Sequence, residues 1–403
     1  MHEHLMILGI TLVILGYGYF SKLLSSLNIS GPMIFTAVGV ILSPLVLSEG
    51  SVGFDAEAVQ IIAEIALILV LFSDAAALDL QKLKAKWRLP FRLLFVAMPI
   101  TIVLAYFTAS AMFPNEAPLY ILLLALILAP TDAALGKIVV SDQRIPETVR
   151  NTINVESGLN DGIVFPVLLT VLAMIVAGNT SSSEGWMGYI AQQISIGAIA
   201  GAFVGWAGAK LSQTTTRKAW IEHQYLNLIP IALAILSFYV AEHFHGNGYI
   251  AAFFAGLFLG NTNPDMKKNV EEFSESEGEL LIMISFLVFG LVFVPFMIPY
   301  LSLNAWIFAI LSLTVLRIIP IILGFGFFKL DLATRIFIGW FGPRGIASIL
   351  YILVIIAKLG GGVKGHEEIF AVASLTILLS IILHGFSAKP LAVWYANYEK
   401  KEI

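Results

Sequence analysis

A polar stretch interrupts an apolar run in the first half of the chain: Asn154-Val155-Glu156-Ser157-Gly158-Leu159-Asn160-Asp161-Gly162. The apolar run resumes directly afterwards, so the stretch is predicted to lie within a membrane helix. An ionised group near the centre of such a helix costs roughly 2.5–3.5 kcal/mol on insertion scales, and it therefore faces protein or a wet cavity. Residues four apart share a helix face, which places Ser157 with Asp161 and Glu156 with Asn160. The stretch predicts a cation-sized group of oxygens with a second carboxylate beside it.

The composition predicts an all-α polytopic membrane protein. The 403 residues are 58% hydrophobic and 12% charged, whereas soluble domains carry about 25% charged residues. The net charge of −4 argues against nucleic acid as a partner, and the bilayer itself is the expected surroundings. The chain has no cysteine, which excludes disulfides and thiolate metal sites. Nothing in the sequence supplies a chemical step, so we expect neither an enzyme nor a cofactor.

Thirteen apolar runs are long enough to cross the roughly 30 Å hydrocarbon core of a bilayer. They cover about residues 5–21, 31–48, 57–78, 90–113, 118–140, 147–178, 187–210, 223–244, 247–261, 279–300, 303–328, 331–357 and 367–387. We interpret residues 1–403 as a single membrane transporter domain that ends in a short cytoplasmic tail, 388–403. Lysine and arginine concentrate in alternate connections, which predicts an external N-terminus and a cytoplasmic C-terminus in the cell membrane.

The thirteen runs also fit two inverted repeats of six helices, about 1–180 and 220–387, joined by a linker helix at about 187–210. The fifth member of each repeat contains a proline or glycine break at mid-depth. These breaks read Ala129-Pro130-Thr131-Asp132 and Phe341-Gly342-Pro343-Arg344-Gly345. Paired interrupted helices at matching positions of inverted repeats indicate a transporter's binding site. Asp132 and Arg344 are placed to offset the dipoles of the half-helices.

Asp161 is the strongest candidate for binding an ion, because a buried aspartate that only fixes packing is a less economical interpretation. Two roles stay open for Asp132, direct contact with the ion or support of the surroundings of Asp161. For Thr131 and Ser157 the sequence leaves two roles equally open, ligation of the ion and packing between helices.

Glu156 and Arg317 are most economically each other's partner. Arg317 is the charged residue at mid-depth of the eleventh run, and an arginine there needs a carboxylate. We interpret this pair as structural. The counter-charge of Arg344 cannot be named from the sequence, and His384 is interpreted as a packing histidine.

These motifs together resemble the NhaP-type Na⁺/H⁺ antiporters, the sodium/proton exchanger branch of the monovalent cation:proton antiporter superfamily. The resemblance implies thirteen helices with a mobile six-helix core and a dimerisation domain, hence a homodimer. It implies an Na⁺ site at Asp161 that Asp132, Thr131 and Ser157 support. It also implies that Asn160 holds this site and that Glu156 pairs with Arg317.

The function expected from this resemblance is exchange of Na⁺, and possibly Li⁺, for H⁺ by alternating access. Asn160 cannot titrate, Asp132 lies beside the positive end of a half-helix, and Glu156 is held by Arg317. Asp161 is then left as the one carboxylate that cycles, which predicts electroneutral 1:1 exchange. K⁺/H⁺ exchange and a gated cation channel on the same scaffold remain the alternatives.

Overall fold

The computed structural model describes residues 2–47, 57–85, 87–177, 183–222, 225–273, 278–326 and 330–402. Within these ranges the secondary structure is helical, and no strand occurs. The predicted all-α class is therefore confirmed. The ends of four predicted runs, at residues 48, 178, 223 and 328, lie outside the described residues.

Twenty α-helices occur in the described part of the chain. They are α1 (His2–Ser26), α2 (Gly31–Leu47), α3 (Glu57–Ala77), α4 (Leu80–Ala85), α5 (Arg88–Arg92), α6 (Met98–Met112), α7 (Pro118–Ile127), α8 (Ala133–Ser141), α9 (Glu147–Ala177), α10 (Ser183–Arg217), α11 (Leu228–His243), α12 (Gly248–Thr262), α13 (Pro264–Phe273), α14 (Glu279–Val288), α15 (Val294–Met297), α16 (Leu303–Leu313), α17 (Val315–Gly324), α18 (Leu332–Trp340), α19 (Ile346–Leu359) and α20 (Glu367–Glu402). Short π-helical turns, Leu93–Ala97 and Phe289–Phe293, join α5 to α6 and α14 to α15.

Seven helical segments of the described chain are long and apolar enough to cross a membrane. They are Leu8–Ser26, Arg88–Met112, Glu147–Ala177, Gly188–Arg217, Glu279–Tyr300, Leu303–Gly324 and Glu367–Glu399. Five shorter apolar helices accompany them, at Gly31–Pro44, Pro118–Ile127, Leu228–His243, Gly248–Thr262 and Ile346–Leu359. The chain is therefore a multi-pass membrane protein, and the count of thirteen spans stays a prediction.

Packing divides the chain into two units. The first contains residues 1–60, 89–157 and 282–403, and the second contains residues 61–88 and 158–281. This division follows contacts rather than sequence symmetry, so the two predicted inverted repeats and the linker helix at 187–210 stay predictions. The boundary at Ser157 and Gly158 falls inside the polar stretch of α9.

The first unit contains both predicted helix breaks. Helix α7 ends at Ile127 and α8 begins at Ala133, so the break spans residues 128–132. Helix α18 ends at Trp340 and α19 begins at Ile346, which leaves residues 341–345 outside either helix. Proline cannot donate a backbone hydrogen bond and forces its predecessor out of the helical region, so each break occurs where its proline requires it.

The segment predicted as a tail, 388–403, is part of a packed helix as far as Glu402. Helix α20 continues through it, and the ring of Tyr395 is buried against Phe337 of α18 with centroids 4.1 Å apart. The Tyr395 hydroxyl also lies 2.7 Å from Thr334 Oγ1. The end of the chain is therefore packed against the half-helix that leads into the second break, and its cytoplasmic location stays a prediction.

The second unit is assembled around α12, which packs closely against α10. A Cβ atom added at Gly197, Gly201 or Gly205 would meet backbone carbonyl oxygens of α12 or of its N-cap residue, Asn247, at 2.1–2.6 Å. These glycines recur every fourth residue and so form one face of α10. Small residues at such a face let two membrane helices approach until their backbones touch, and the resulting van der Waals packing stabilises the pair.

We expect Gly201→Leu to destabilise the protein, because the side chain would have to displace the Ala251 carbonyl of α12. Overpacking of this kind costs about 1–3 kcal/mol or more, and the measurement is the melting temperature in detergent. Gly188→Leu is the matched control, since it lies on the same helix with no atom within 4 Å of an added Cβ. Equal melting temperatures for the two variants would contradict this packing.

Candidate functional site

Hydrogen bonds join the two interrupted helices of the first unit at their breaks. The Asp132 N–H donates to the Pro343 carbonyl oxygen at 2.7 Å, and the Ser348 hydroxyl donates to the Ile127 carbonyl at 2.7 Å. Each helix end leaves backbone groups without partners inside its own helix. In a membrane these groups must find partners within the protein. The two interrupted helices supply such partners to one another where they cross.

Asp132 holds the beginning of α19 with its side chain. The carboxylate oxygen Oδ2 accepts the Ile346 N–H at 2.7 Å, at the first residue of a 14-residue helix. The positive end of the helix dipole favours a negative group at this position. Residue 345 must be glycine here, because a Cβ would collide with the Asp132 carboxylate. Asp132 is 5% exposed, so this contact is made inside the protein.

Thr131 and Ser157 form a pair of hydroxyls next to this crossing. Thr131 Oγ1 lies 3.2 Å from Ser157 Oγ, and the two residues are 2% and 3% exposed. The contact joins the first break to α9, the helix of the polar stretch. Two buried hydroxyl oxygens at this distance are suitable ligands for a hard cation, although hydroxyls of this kind also serve helix packing.

Asn160 and Asp161 belong to the second unit, where both are buried. Helix α9 is continuous from Glu147 to Ala177, so Asp161 lies one turn beyond Ser157 on the same face. Gly162 allows the ring of Phe253 in α12 to pack directly against α9, since a Cβ there would meet that ring at 2.4 Å. The prediction that Na⁺ is held by Asp161 together with Asp132, Ser157 and Thr131 stays a prediction.

Glu156 and Arg317, which the sequence analysis paired, are in contact. Arg317 Nη2 lies 2.5 Å from Glu156 Oε1, and each side chain is 2% exposed. Gly342 of the second break makes room for the arginine, because a Cβ there would meet Arg317 Nε at 2.5 Å. The ion pair therefore connects α9 with α17 and rests against the second break.

Arg344 is equally buried but is held differently. Its backbone N–H donates to Ser380 Oγ of α20 at 2.7 Å. Its guanidinium is close enough to Glu156 to be attracted and close enough to Arg317 to be repelled. In the described part of the chain, no hydrogen-bond acceptor reaches the guanidinium nitrogens. Glu156 is thus a counter-charge for Arg344 as well as the ion-pair partner of Arg317.

Three further side chains hold the crossing in place. Two of them, Ser348 and Ser380, were not identified from the sequence, whereas the third, His384, was interpreted there as a packing histidine. Ser348 and Ser380 make the contacts given above, and His384 Nε2 lies 2.8 Å from the carbonyl oxygen of Trp340, the last residue of α18. Ser380 lies four residues before His384 in an otherwise apolar run, and that spacing is the signal that could have identified Ser380. Ser348 follows the second break within three residues, which is a weaker signal.

We expect Arg317→Ala and Glu156→Ala each to lower stability, because removal of one partner of a buried ion pair typically costs roughly 3–5 kcal/mol. The double variant Glu156→Gln with Arg317→Met removes both charges and should recover part of the loss. Melting temperatures of the purified variants measure this. Strictly additive losses would mean that the two residues are not energetically coupled.

The surface pair Arg144 and Asp142 is the matched control for this experiment. Its atoms are 2.6 Å apart, but the Arg144 side chain is 53% exposed. Arg144→Ala should leave the melting temperature unchanged, since exposed ion pairs contribute little to stability.

Comparison with known proteins gives a family match over most of the chain and several named relatives. Residues 9–394 match the family described as "Sodium/hydrogen exchanger, transmembrane". The chain is 24% identical to a K⁺/H⁺ antiporter NhaP of Alkalimonas amylolytica, over 98% of this chain and 68% of the relative. It is 26% identical to an Na⁺/H⁺ antiporter NhaP of Pseudomonas aeruginosa, over 80% of this chain and 78% of the relative. A probable Na⁺/H⁺ antiporter of Schizosaccharomyces pombe is 24% identical, and the matched part spans 51% of its length.

The fold also has a close structural counterpart. The sodium proton antiporter MjNhaP1 from Methanocaldococcus jannaschii superposes with a TM-score of 0.78 at 20% identity, over 98% of this chain and 100% of that one. The resemblance recognised in the sequence is therefore confirmed for the fold and the family. The match over residues 9–394 of 403 shows that the chain belongs to the transmembrane sodium/hydrogen exchanger family.

Proposed function

We propose that this chain is a secondary transporter that exchanges Na⁺ for H⁺ across a membrane by alternating access. The observation that carries the proposal is the buried Asp161, one turn beyond Ser157 on α9, in a chain of the sodium/hydrogen exchanger family. A carboxylate at that position can bind a proton or a dehydrated cation. Because it cannot bind both at once, each ion displaces the other, and the two fluxes are coupled.

The chemistry of the side chains at the first break and on α9 supports a hard monovalent cation. Carboxylate and hydroxyl oxygens are the ligands that hard cations prefer. Thr131 and Ser157 present two hydroxyls 3.2 Å apart, and Asp132 adds a carboxylate that already accepts one backbone hydrogen bond. We assign exchange to Asp161, and we assign support of the ion to Thr131, Asp132 and Ser157, with Asn160 holding the surroundings of Asp161.

Exchange of K⁺ for H⁺ is the second candidate, because one of the relatives reported above is named a K⁺/H⁺ antiporter. The experiment that separates the candidates is exchange by the purified protein in proteoliposomes that enclose a pH dye. Na⁺, Li⁺ and K⁺ are added separately to vesicles loaded with protons. Proton efflux with Na⁺ but not K⁺ supports the proposal, and the reverse order assigns the chain to K⁺/H⁺ exchange.

We further infer that the protein is a homodimer of the cell membrane with its N-terminus outside and its C-terminus in the cytoplasm. The homodimer is what the resemblance to the NhaP-type antiporters implies. The orientation is supported by the concentration of lysine and arginine in alternate connections, which predicts which loops face the cytoplasm. A gated cation channel is the remaining alternative on this scaffold. A channel would carry a cation current without coupled proton movement, and the same vesicles report that directly.

We expect Asp161→Asn to abolish cation-driven proton efflux while leaving a folded protein, because an amide neither titrates nor balances a cation. Asp265→Asn is the matched control, since it makes the same chemical change at an exposed position on α13. Initial rates of efflux at equal protein content are the measurement. Near-normal exchange by the Asp161 variant would overturn the assignment of this residue.

We expect the exchange to be electroneutral, with one H⁺ moved for each Na⁺. Asn160 cannot titrate, and Glu156 is committed to Arg317 at 2.5 Å. Asp132 is committed to the Ile346 N–H. Asp161 is then the one carboxylate that cycles, so no net charge moves in a turnover.

The rate should therefore not respond to a membrane potential clamped with K⁺ and valinomycin, once K⁺ has been shown not to be a substrate. A lower pH on the side of Na⁺ binding should raise the apparent KM for Na⁺ without lowering the maximal rate. A rate that changes several-fold with the clamped voltage would show that a second group titrates.

A further inference from the structure

We propose that Glu64 of α3 is a second group that binds the transported cation, a carboxylate that receives the ion near one membrane face and passes it to Asp161. The Tyr249 hydroxyl donates a hydrogen bond to the Glu64 carboxylate. Glu64 is partly exposed, whereas Tyr249 is 4% exposed. This role rests on the exchange proposed above, because it concerns the path that the exchanged ion takes.

Helices α3 and α12 pack backbone to backbone in the second unit. A Cβ atom added at Gly256 of α12 would meet the Phe72 carbonyl oxygen of α3 at 2.0 Å. A Cβ atom added at Gly260 would meet the Ala76 carbonyl oxygen at 2.1 Å. The second contact is four residues further along both helices than the first, so α3 and α12 run parallel with matched registers.

This register brings Glu64 and Tyr249 to the same level. Tyr249 lies seven residues before Gly256, and Glu64 lies eight residues before Phe72. Tyr249 is also the second residue of α12, so the hydrogen bond lies near one end of that helix. With the orientation proposed above, α3 and α12 both begin at the outside. Glu64 therefore lies towards the external face.

Tyr249 also reaches the turn of α9 that follows Asp161. Its ring packs edge to face against the ring of Phe165, with centroids 5.1 Å apart. Phe165 is four residues beyond Asp161, so it lies on the same face of α9 and about 6 Å further along the helix axis. Glu64 is thus joined through one tyrosine to the turn of α9 on the external side of Asp161.

The charge of Glu64 requires a reason beyond this hydrogen bond. Helix α3 belongs to the third predicted span, 57–78, where an ionised side chain is costly and is by default a candidate for function. A glutamine or serine at this position would accept the Tyr249 hydroxyl equally well and would carry no charge. The hydrogen bond alone therefore does not account for a carboxylate, whereas a cation that binds there does.

The side chains around Tyr249 are aromatic or already engaged. The Phe238 ring packs against the tyrosine ring with centroids 4.9 Å apart. Glu242 acts on Tyr249 through its charge, but its Oε1 atom accepts the Gly248 N–H at 2.9 Å. An ionised carboxylate has about four lone-pair sites, so the hydrogen bond from Tyr249 leaves Glu64 able to bind a further ligand.

Glu64 and Tyr249 together suit a hard monovalent cation, since carboxylate and hydroxyl oxygens are the ligands that such ions prefer. A negative charge on the route also raises the local concentration of cations. Glu64 releases the ion before Asp161 binds it, so Asp161 still sets the stoichiometry of exchange. The expected consequence is tighter binding of the cation from the external face alone.

The first test measures exchange in right-side-out and inverted membrane vesicles, which present opposite faces to added Na⁺. Glu64→Gln keeps an acceptor for the Tyr249 hydroxyl and removes the charge. It should raise the apparent KM for Na⁺ several-fold at the external face, while the maximal rate and the KM at the cytoplasmic face stay as in the wild type. A change at the cytoplasmic face instead, at both faces or at neither would overturn the proposal.

Two variants are controls for this measurement. Glu242→Gln removes a neighbouring charge and keeps an acceptor for the Gly248 N–H, so the external KM should stay near that of the wild type. Tyr249→Phe removes the hydroxyl and keeps the charge of Glu64, so it should raise the external KM less than Glu64→Gln does. Melting temperatures verify that the variants are folded. An equal rise in KM for Glu242→Gln would assign the effect to surface charge and contradict a specific role for Glu64.

The second test detects the ion at Glu64 without transport. The purified protein is treated with dicyclohexylcarbodiimide, which modifies carboxyl groups in apolar surroundings, and labelling of Glu64 is measured by peptide mass spectrometry. Na⁺ should protect Glu64 several-fold relative to choline at equal ionic strength. The protection should persist in Asp161→Asn, so that this result is independent of whether the exchange proposed above occurs. Labelling of Glu64 that is absent, or that is equal in Na⁺ and choline, would overturn the proposal.

Discussion

The architecture of the first unit depends on one requirement, that backbone groups freed inside a membrane find partners within the protein. Two helices of this chain are broken at mid-length, and neither break could stand alone. The Ile127 carbonyl at the end of α7 needs a donor, and the Ile346 N–H at the start of α19 needs an acceptor. Ser348 and Asp132 provide them, each from the opposite helix. The two breaks are therefore a single structural feature made from distant parts of the sequence.

Charge imposes a second requirement on the same unit. Glu156 and Arg317 are each 2% exposed, and removing one partner of a buried ion pair leaves an uncompensated charge that costs roughly 3–5 kcal/mol. Arg344 adds a second buried guanidinium, which the same carboxylate attracts electrostatically without a hydrogen bond. One carboxylate of α9 thus pairs with Arg317 of α17 and also attracts Arg344 of the second break. The turn of α9 that follows carries Asn160 and Asp161, so this charge network fixes the helix immediately before the proposed exchange carboxylate.

Much of this arrangement was predictable from the sequence, because its causes are local or electrostatic. Prolines in apolar runs located the breaks, and a mid-depth arginine required a carboxylate such as Glu156. Contacts that depend on which helices become neighbours were not predictable. Ser380 is one example, since nothing in the run around it indicates that it faces the Arg344 N–H. The pairing of Glu116 with His366 is another, because 250 residues separate two loops whose approach only the assembled unit reveals.

The length of the last helix, α20, could not be predicted from composition either. Residues 388–402 are polar enough to suggest a tail, yet α20 runs through them and Tyr395 is fully buried against Phe337. Periodicity explains the difference, since Ala388, Ala392, Tyr395 and Ala396 recur at helical spacing and are the buried members of this segment. A pattern of small residues with one aromatic is weak in a hydropathy profile. It becomes meaningful only when a facing surface such as α18 is known.

Asp132 combines two contributions that different substitutions would remove. Asp132 supplies negative charge and also accepts the Ile346 N–H, so a variant that lacks any acceptor there would disturb the crossing itself. An amide at this position keeps an oxygen for that hydrogen bond and removes only the charge. If removal of the whole Asp132 carboxylate stops transport, the cause could be the lost hydrogen bond to the Ile346 N–H alone. Failure after the amide change, with the fold intact, isolates the contribution of the charge. Evidence that Asp132 contacts the ion must therefore come from the conservative change.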